Sequence, residues 1–260
     1  MNFKLLSFDV WDTLIVDDSD EIIRRQHGLP SKAIERNKLY HNVYENVFPD
    51  PSGLQEIIND MENQFTKLWK NHFETPGIRW RLNQIEKSIG KEIKKPVMID
   101  EKIKQHLIIR LEEMELQFPI QAVKGTQAFF YEFKQKYPKV KLGIISDAIY
   151  TPGKNIRRIL ENCGLLEFFE FFAFSDEVGH SKPSREIFQY LAKQVQVSPH
   201  EIVHIGDRLV NDIEGAKNFG ATGILCRASK TSMINNENVS NLMFDEYLEL
   251  KNILSELENK

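Results

Sequence analysis

Cysteine is scarce in this sequence. Cys163 and Cys226 are its only two thiols, and they do not form a pair with metal-ligand spacing. A disulfide framework or a zinc site therefore has little support, and a reducing cytoplasmic compartment is the default expectation. There is no basic tract either. The 34 basic and 38 acidic residues are mixed along the chain, with a net charge of -4, so nothing is laid out to track nucleic-acid phosphates. No run approaches ~18 apolar residues, and the short apolar N-terminal stretch stops at Asp9, too short and too acidic for a signal segment. A soluble, unsecreted protein that leaves membranes alone is expected. No internal repeat is visible. The spacing of Gly206, Gly215 and Gly220 is wrong for a dinucleotide loop and suits turns and packing.

Several short apolar, β-prone runs are present, and they end in polar clusters: KLLSFD (4–9), KLGIISD (141–147), EIVHIGD (201–207) and ATGILCR (221–227), with FEFFAFSDE (169–177) as a further candidate. Continuous apolarity points to strands covered on both faces. Helical patterns lie between them at 126–136, 152–163, 184–194 and 212–219. This alternation predicts an α/β fold with a doubly wound parallel sheet, in which ligands bind beyond the carboxyl ends of the strands. Three of the runs leave aspartates at that edge.

From 19 to 118 the alternation stops. Apolar residues recur at helical spacing, as in Ile57, Met61, Phe65 and Leu68, then Leu82, Ile85 and Ile89, then Ile103, Leu107, Ile108, Leu111 and Met114. Pro49, Pro51, Pro76, Gly77 and Pro96 supply boundaries for a helical bundle inserted after the first strand. The expected division is an α/β core over 1–18 and 119–232, a helical domain over 19–118, and a C-terminal linker (Asn-rich over 235–241) and helix over 233–260, the helix running from about 245 to 257. Monomer and homodimer are both open.

The strand ends in FDVWDT (8–13), LGIISDA (142–148), SDEVGHSKPSREIF (175–188) and VHIGDRLVNDIEGAKNFGA (203–221) resemble, in order, the four motifs of the haloacid dehalogenase-like hydrolases. The resemblance implies a Rossmann-like core with a helical cap inserted between the first two motifs. It also implies a phosphatase that acts on a small phosphorylated metabolite through an aspartyl-phosphate. By that resemblance Asp9 is the nucleophile, Ser146 donates to the phosphoryl group and Lys182 offsets its charge. The metal is Mg²⁺, held by Asp9, the backbone carbonyl of Trp11 and Asp207, with Asp212 at the metal site or behind it, orienting waters or Lys182. A dianion repels an attacking carboxylate, so the chemistry needs a bridging cation and donors to spread charge, and Mg²⁺ suits a few hard oxygen ligands.

Each residue also has a plainer interpretation. Asp12, Asp147 and Asp207 are all placed to cap helices. Lys182 before Pro183 fits an exposed lysine at a helix start, with Pro183 in the first position, and Ser146 fits an ordinary strand end. His204, inside an apolar strand, and His180, in a loop, are expected to be structural. Arg79, Trp80 and Arg81 could meet a substrate anion, but a helix packed through Trp80 with solvated arginines is preferred.

Trp11 breaks the pattern. In phosphatases of this family the residue two after the nucleophile is usually an aspartate that serves as general acid/base, and an indole cannot do that work. Three outcomes stay open. The first is a Mg²⁺-dependent phosphatase with Asp12, the cap or the substrate supplying proton transfer. The second is a metal-free 2-haloacid dehalogenase, a family with an aromatic residue at that position but a different fourth motif. The third is a silent member that binds a phospho-ligand or a protein.

Overall fold

Leu5–Phe8 (β1) is buried along its whole length, as a continuous apolar run requires when both faces of a sheet are covered. In this computed structural model, which describes residues 3–229 and 242–258, five helices follow β1: α1 (Ser19–Gln26), α2 (Lys32–Tyr44), α3 (Pro51–Lys67), α4 (Ile78–Glu92) and α5 (Glu101–Glu112). Then come α6 (Thr126–Lys136), β2 (Lys141–Ser146), α7 (Gly153–Asn162), β3 (Phe171–Phe174), α8 (Ser175–Val178), α9 (Arg185–Val195), β4 (Ile202–Gly206), α10 (Gly215–Phe219), β5 (Thr222–Cys226), β6 (Met243–Phe244) and α11 (Tyr247–Glu258). The strands form one parallel sheet in the order β3-β2-β1-β4-β5-β6, which is the doubly wound arrangement expected from the alternation.

Period-two alternation divides the core. Leu6, Phe8, Leu142, Ile144, Val203 and Ile205 face α6, α7 and α11, whose contributions include Phe129, Phe130, Ile156, Leu250 and Leu254. Leu5, Ile145 and Ile202 face the other way, onto Ile187, Phe188 and Leu191 of α9 and Ala216 and Phe219 of α10. Each such side chain, fully buried, contributes about 1.5–3 kcal/mol, so the strand ends rest on a rigid base.

The helices between β1 and β2 bury a separate apolar cluster, built from Tyr40, Tyr44, Leu54, Ile58, Met61, Leu82, Ile85, Leu107 and Leu111 among others. The breakers act where expected: Asp50 caps α3 with Pro51 in its first position, α4 begins after Pro76 and Gly77, and Asp100 caps α5. Ile103, expected on the apolar face, is exposed instead. Buried ion pairs bind the same region, with Lys32 Nζ 2.7 Å from Asp20 Oδ1 and 2.6 Å from Glu115 Oε2, and Lys104 Nζ 2.7 Å from Glu86 Oε2.

Arg81 corrects the preference for solvated arginines. Arg79 is exposed and pairs with Glu101, but the Arg81 side chain is fully buried. Its guanidinium lies 3.6 Å over the Phe65 ring and 4.2 Å over that of Tyr150, and its Nη1 donates to the Ile149 carbonyl at 3.0 Å. It clips α4 to the loop after β2.

The two segments that lead into and out of the helical insertion run side by side. Ile15 and Ala122 form an antiparallel bridge, the Val16 N–H donates to the Gln121 carbonyl at 2.8 Å, and the Val123 N–H donates to the Leu14 carbonyl at 2.9 Å. Further differences from expectation are local. FEFFAFSDE divides into β3 and α8, and the stretch before α10 winds as a π-helical turn over Leu209–Glu214. The expected linker over 235–241 lies outside the described residues, whereas β6 and α11 join the main core through Phe244, Tyr247, Leu250 and Leu254. Among the described residues, no helix is long and apolar enough to cross a membrane.

Candidate active site

The sheet changes direction at β1: β2 and β3 lie on one side of it, β4 to β6 on the other. A crevice opens at such a point beyond the carboxyl ends of the strands. Asp9 follows β1 directly, Ser146 ends β2 and Asp207 follows β4, so three predicted site residues meet there by topology. The Asp9 N–H donates to the Ile205 carbonyl at 2.8 Å, which extends the β1–β4 ladder to the first carboxylate.

Lys182 arrives from the loop before α9. Its Nζ lies 2.6 Å from Asp9 Oδ1 and 2.6 Å from Asp212 Oδ1, and it is almost wholly buried. The lysine is therefore not an exposed helix start. The Lys182–Pro183 peptide is cis, and α9 begins after Pro183, with Ser184 as its cap. Burial works against the ammonium, but the charges of Asp212, Asp9 and Asp147 outweigh it and leave the pKa above the ordinary lysine value.

Asp212 lies in the π-helical turn and is fully buried. Besides Lys182, its Oδ1 has His204 Nε2 at 3.2 Å, and its Oδ2 accepts from the Arg208 N–H at 2.8 Å. Burial alone would raise this carboxyl, yet Lys182 and the His204 hydrogen bond hold it below the usual carboxylate range. Burial in turn lowers the His204 pKa, against the pull of Asp212. A neutral ring beside an anionic acceptor places the proton on Nε2, so Nδ1 accepts from the Ser7 hydroxyl at 3.0 Å. His204 is structural, as expected, and what it supports is Asp212. His180 is exposed. Gly206 is needed for close approach, since a Cβ there would lie 2.2 Å from Asp212 Cγ.

Asp9, Asp207 and Asp212 each offer a carboxylate oxygen, and these atoms all lie within 4.8 Å of one another. This all-oxygen donor set fits a hard divalent cation of the Mg²⁺ kind. The Ser146 hydroxyl is buried and has no hydrogen-bond partner among the described residues; such a donor is costly to leave unused unless a ligand takes it up.

Nothing in the local sequence pattern groups Asp147, Trp69, Asn211 and Arg208 with these residues. Asp147 does not cap a helix. Its Oδ1 accepts from the Lys182 N–H at 2.9 Å, and its Oδ2 accepts from Trp69 Nε1 at 3.0 Å and Asn211 Nδ2 at 3.3 Å. Burial raises its pKa, and the charge of Lys182 offsets only part of that rise. Trp69 comes from a π-helical turn after α3, and the Arg208 guanidinium sits 5.5 Å over its ring. The position of Asp147 next to Ser146 was the one available signal.

Trp11 is half-buried and lines a cavity of about 260 Å³ together with Asp147, Arg208 and residues of the helical insertion. Asp12 has a left-handed backbone (φ 54°). Its Oδ1 accepts from the Asp17 N–H at 3.2 Å and from the Ser229 hydroxyl at 2.8 Å, and it is not part of the cavity lining among the described residues.

A family model described as haloacid dehalogenase-like hydrolase matches residues 3–220. An uncharacterized protein of Saccharomyces cerevisiae is 33% identical to this chain, over 94% of it and 78% of the yeast protein. Proteins named glyceraldehyde 3-phosphate phosphatase match over shorter stretches: that of Methanopyrus kandleri is 34% identical over 45% of this chain and 50% of its own length, and that of Pyrococcus furiosus is 44% identical over 30% and 31%. Among solved structures, a HAD phosphatase from Thermococcus onnurineus superposes with a TM-score of 0.61 at 18% identity, covering 97% of this chain and 98% of that one. A 2-haloacid dehalogenase from Pseudomonas syringae superposes with a TM-score of 0.65 at 16% identity, covering 98% and 99%. At these identities the two structures speak for the fold.

Proposed function

The chain belongs to the haloacid dehalogenase-like hydrolases, and from that premise we propose that it is a Mg²⁺-dependent phosphatase of small phosphorylated metabolites. The observation that carries this reading is the close set of Asp9, Asp207 and Asp212 with Lys182 bound to two of them.

Asp9 attacks phosphorus, the ester P–O bond breaks, and an aspartyl-phosphate forms that water then hydrolyses. Lys182, at 2.6 Å from Asp9 Oδ1, holds the nucleophile in place and offsets the charge gathered around the phosphoryl group. The Ser146 hydroxyl donates to a phosphoryl oxygen. Asp9, the Trp11 carbonyl and Asp207 would hold Mg²⁺, which would supply electrostatic neutralisation of the attacking carboxylate and the phosphate. Asp212, whose two oxygens already accept from Lys182, His204 and Arg208, supports the site from behind. The helices over 19–118 act as a cap that carries Trp69 onto Asp147. Asp12 is held by Asp17 and Ser229, so the proton for the leaving oxygen is better sought from the substrate or from water.

Trp11 favours a second reading, metal-free release of halide from 2-haloacids. The acidic trio weighs against it. Purified protein assayed on p-nitrophenyl phosphate and glyceraldehyde 3-phosphate should turn over with Mg²⁺, stop with EDTA and stop in Asp9→Asn. Chloride release from 2-chloropropionate in EDTA would establish the dehalogenase instead, and loss of neither activity in Asp9→Asn would refute both.

A further inference from the structure

The cavity beside this site divides by charge. Arg208, at one end, is surrounded by Asp9, Asp207, Asp212 and Asp147, whose charges outweigh its burial and raise its pKa. Its charge belongs to the phosphoryl end. At the other end the lining includes Asp17, Asp18, Arg36 and Glu115. Arg36 is already matched: its Nη2 lies 3.1 Å from Glu115 Oε1 and its guanidinium 4.1 Å over the Tyr150 ring. Lys32, behind the lining, is shared among Glu115 at 2.6 Å, Asp20 at 2.7 Å and Asp18 at 3.2 Å.

Two cations, Lys32 and Arg36, thus face four carboxylates, Asp17, Asp18, Asp20 and Glu115. Arg81, on the Tyr150 ring, has Glu62 3.9 Å from its Nε, so among the described residues every cation at this end already has a carboxylate beside it. Acceptor oxygens are plentiful at this end. At about 260 Å³ the cavity falls just below the usual range of ligand pockets, which begins at about 300 Å³.

We propose that this end of the cavity selects phosphomonoesters whose leaving group is short, rich in hydrogen-bond donors and free of a second negative charge, a polyol phosphate being the simplest. The proposal rests on the phosphatase reading above. Hydroxyls donate to the carboxylate oxygens, while a second carboxylate or phosphate would be brought, partly desolvated, against an excess of negative charge.

Glycerol 3-phosphate and 3-phosphoglycerate test this, because they differ chiefly in a hydroxymethyl group replaced by a carboxylate. Calorimetric binding of each to full-length Asp9→Asn with Mg²⁺ should favour glycerol 3-phosphate by about fivefold or more, since the nearest carboxylates are partly exposed and screened. The added substitutions Asp17→Asn and Asp18→Asn should narrow that preference severalfold. Equal or tighter binding of 3-phosphoglycerate would overturn the proposal, and so would binding of neither ester. Turnover of p-nitrophenyl phosphate by the unsubstituted protein judges the phosphatase reading separately.

Discussion

Replacing Lys182 by Met removes one charge and little volume. At 2.6 Å from each of two carboxylates, an ammonium gains roughly 6 kcal/mol per contact at an effective dielectric of about 20. Most of that gain offsets the cost of burying the charges. What remains when one partner of a buried pair is deleted is about 3–5 kcal/mol, because the surviving carboxylates are left uncompensated. Here the survivors are Asp9 and the fully buried Asp212, with the Lys182 side chain itself only 3% exposed, so solvent screening gives little relief. For a chain of this size the loss corresponds to a fall in Tm on the order of 10 °C. The assay is thermal unfolding in EDTA and again across a Mg²⁺ titration. If the acidic trio binds Mg²⁺, the variant should regain stability as Mg²⁺ rises, and by more than the parent gains, since the ion supplies the missing compensation. A loss below about 1 kcal/mol would refute the charge argument, and a variant whose Tm ignored Mg²⁺ would refute the assignment of the trio.

Gly206→Ala places a methyl group 2.2 Å from Asp212 Cγ; the fold should survive at a cost of about 1–3 kcal/mol, while displacement of Asp212 and Lys182 should cut kcat about 100-fold, and unchanged kcat would show that Asp212 can shift freely. Trp11→Asp should raise rates on alkyl phosphates more than on aryl ones, within the roughly 100-fold to 10,000-fold that acid/base help provides; an equal effect on both would exclude a missing leaving-group acid. Burial pushes the Cys226 thiol up to about 12 and raises that of Cys163 as well. Neither thiol should react with a disulfide reagent at pH 8 until denaturant is added. Because the unfolded thiol ionises near pH 8.5, the contribution of Cys226 to stability should fall above that pH by up to about 1.4 kcal/mol per pH unit, until the folded thiol ionises too.

The parallel sheet was legible because its strands are covered on both faces, so β1, β2 and β4 read as mainly apolar runs, interrupted only by Ser7 and His204, that stop at Asp9, Asp147 and Asp207. α6 has its predicted bounds because Gly125 and the Tyr137–Pro138 step bracket a clear pattern. What stayed hidden depends on contacts between distant parts of the chain. Arg81 looked like a solvent-facing cation because nothing local indicates that Phe65 and Tyr150 will enclose it. Asp147 looked like a cap because its partners, Trp69, Lys182 and Asn211, come from three separate segments. β6, with only Met243 and Phe244, is too short for any periodicity to show.

The paired segments at 14–16 and 121–123 give the molecule a particular kind of modularity. The body inserted beyond the carboxyl ends of the strands is attached through two backbone segments held about 5 Å apart, and most of its buried apolar residues form a cluster separate from the sheet's core. Any domain whose two ends match that spacing could be spliced into the same socket without disturbing the register of β1 against β2. Exchanging overhangs between chains of this family is therefore a route to new substrate preferences, provided that the incoming body replaces the Trp69 contact with Asp147.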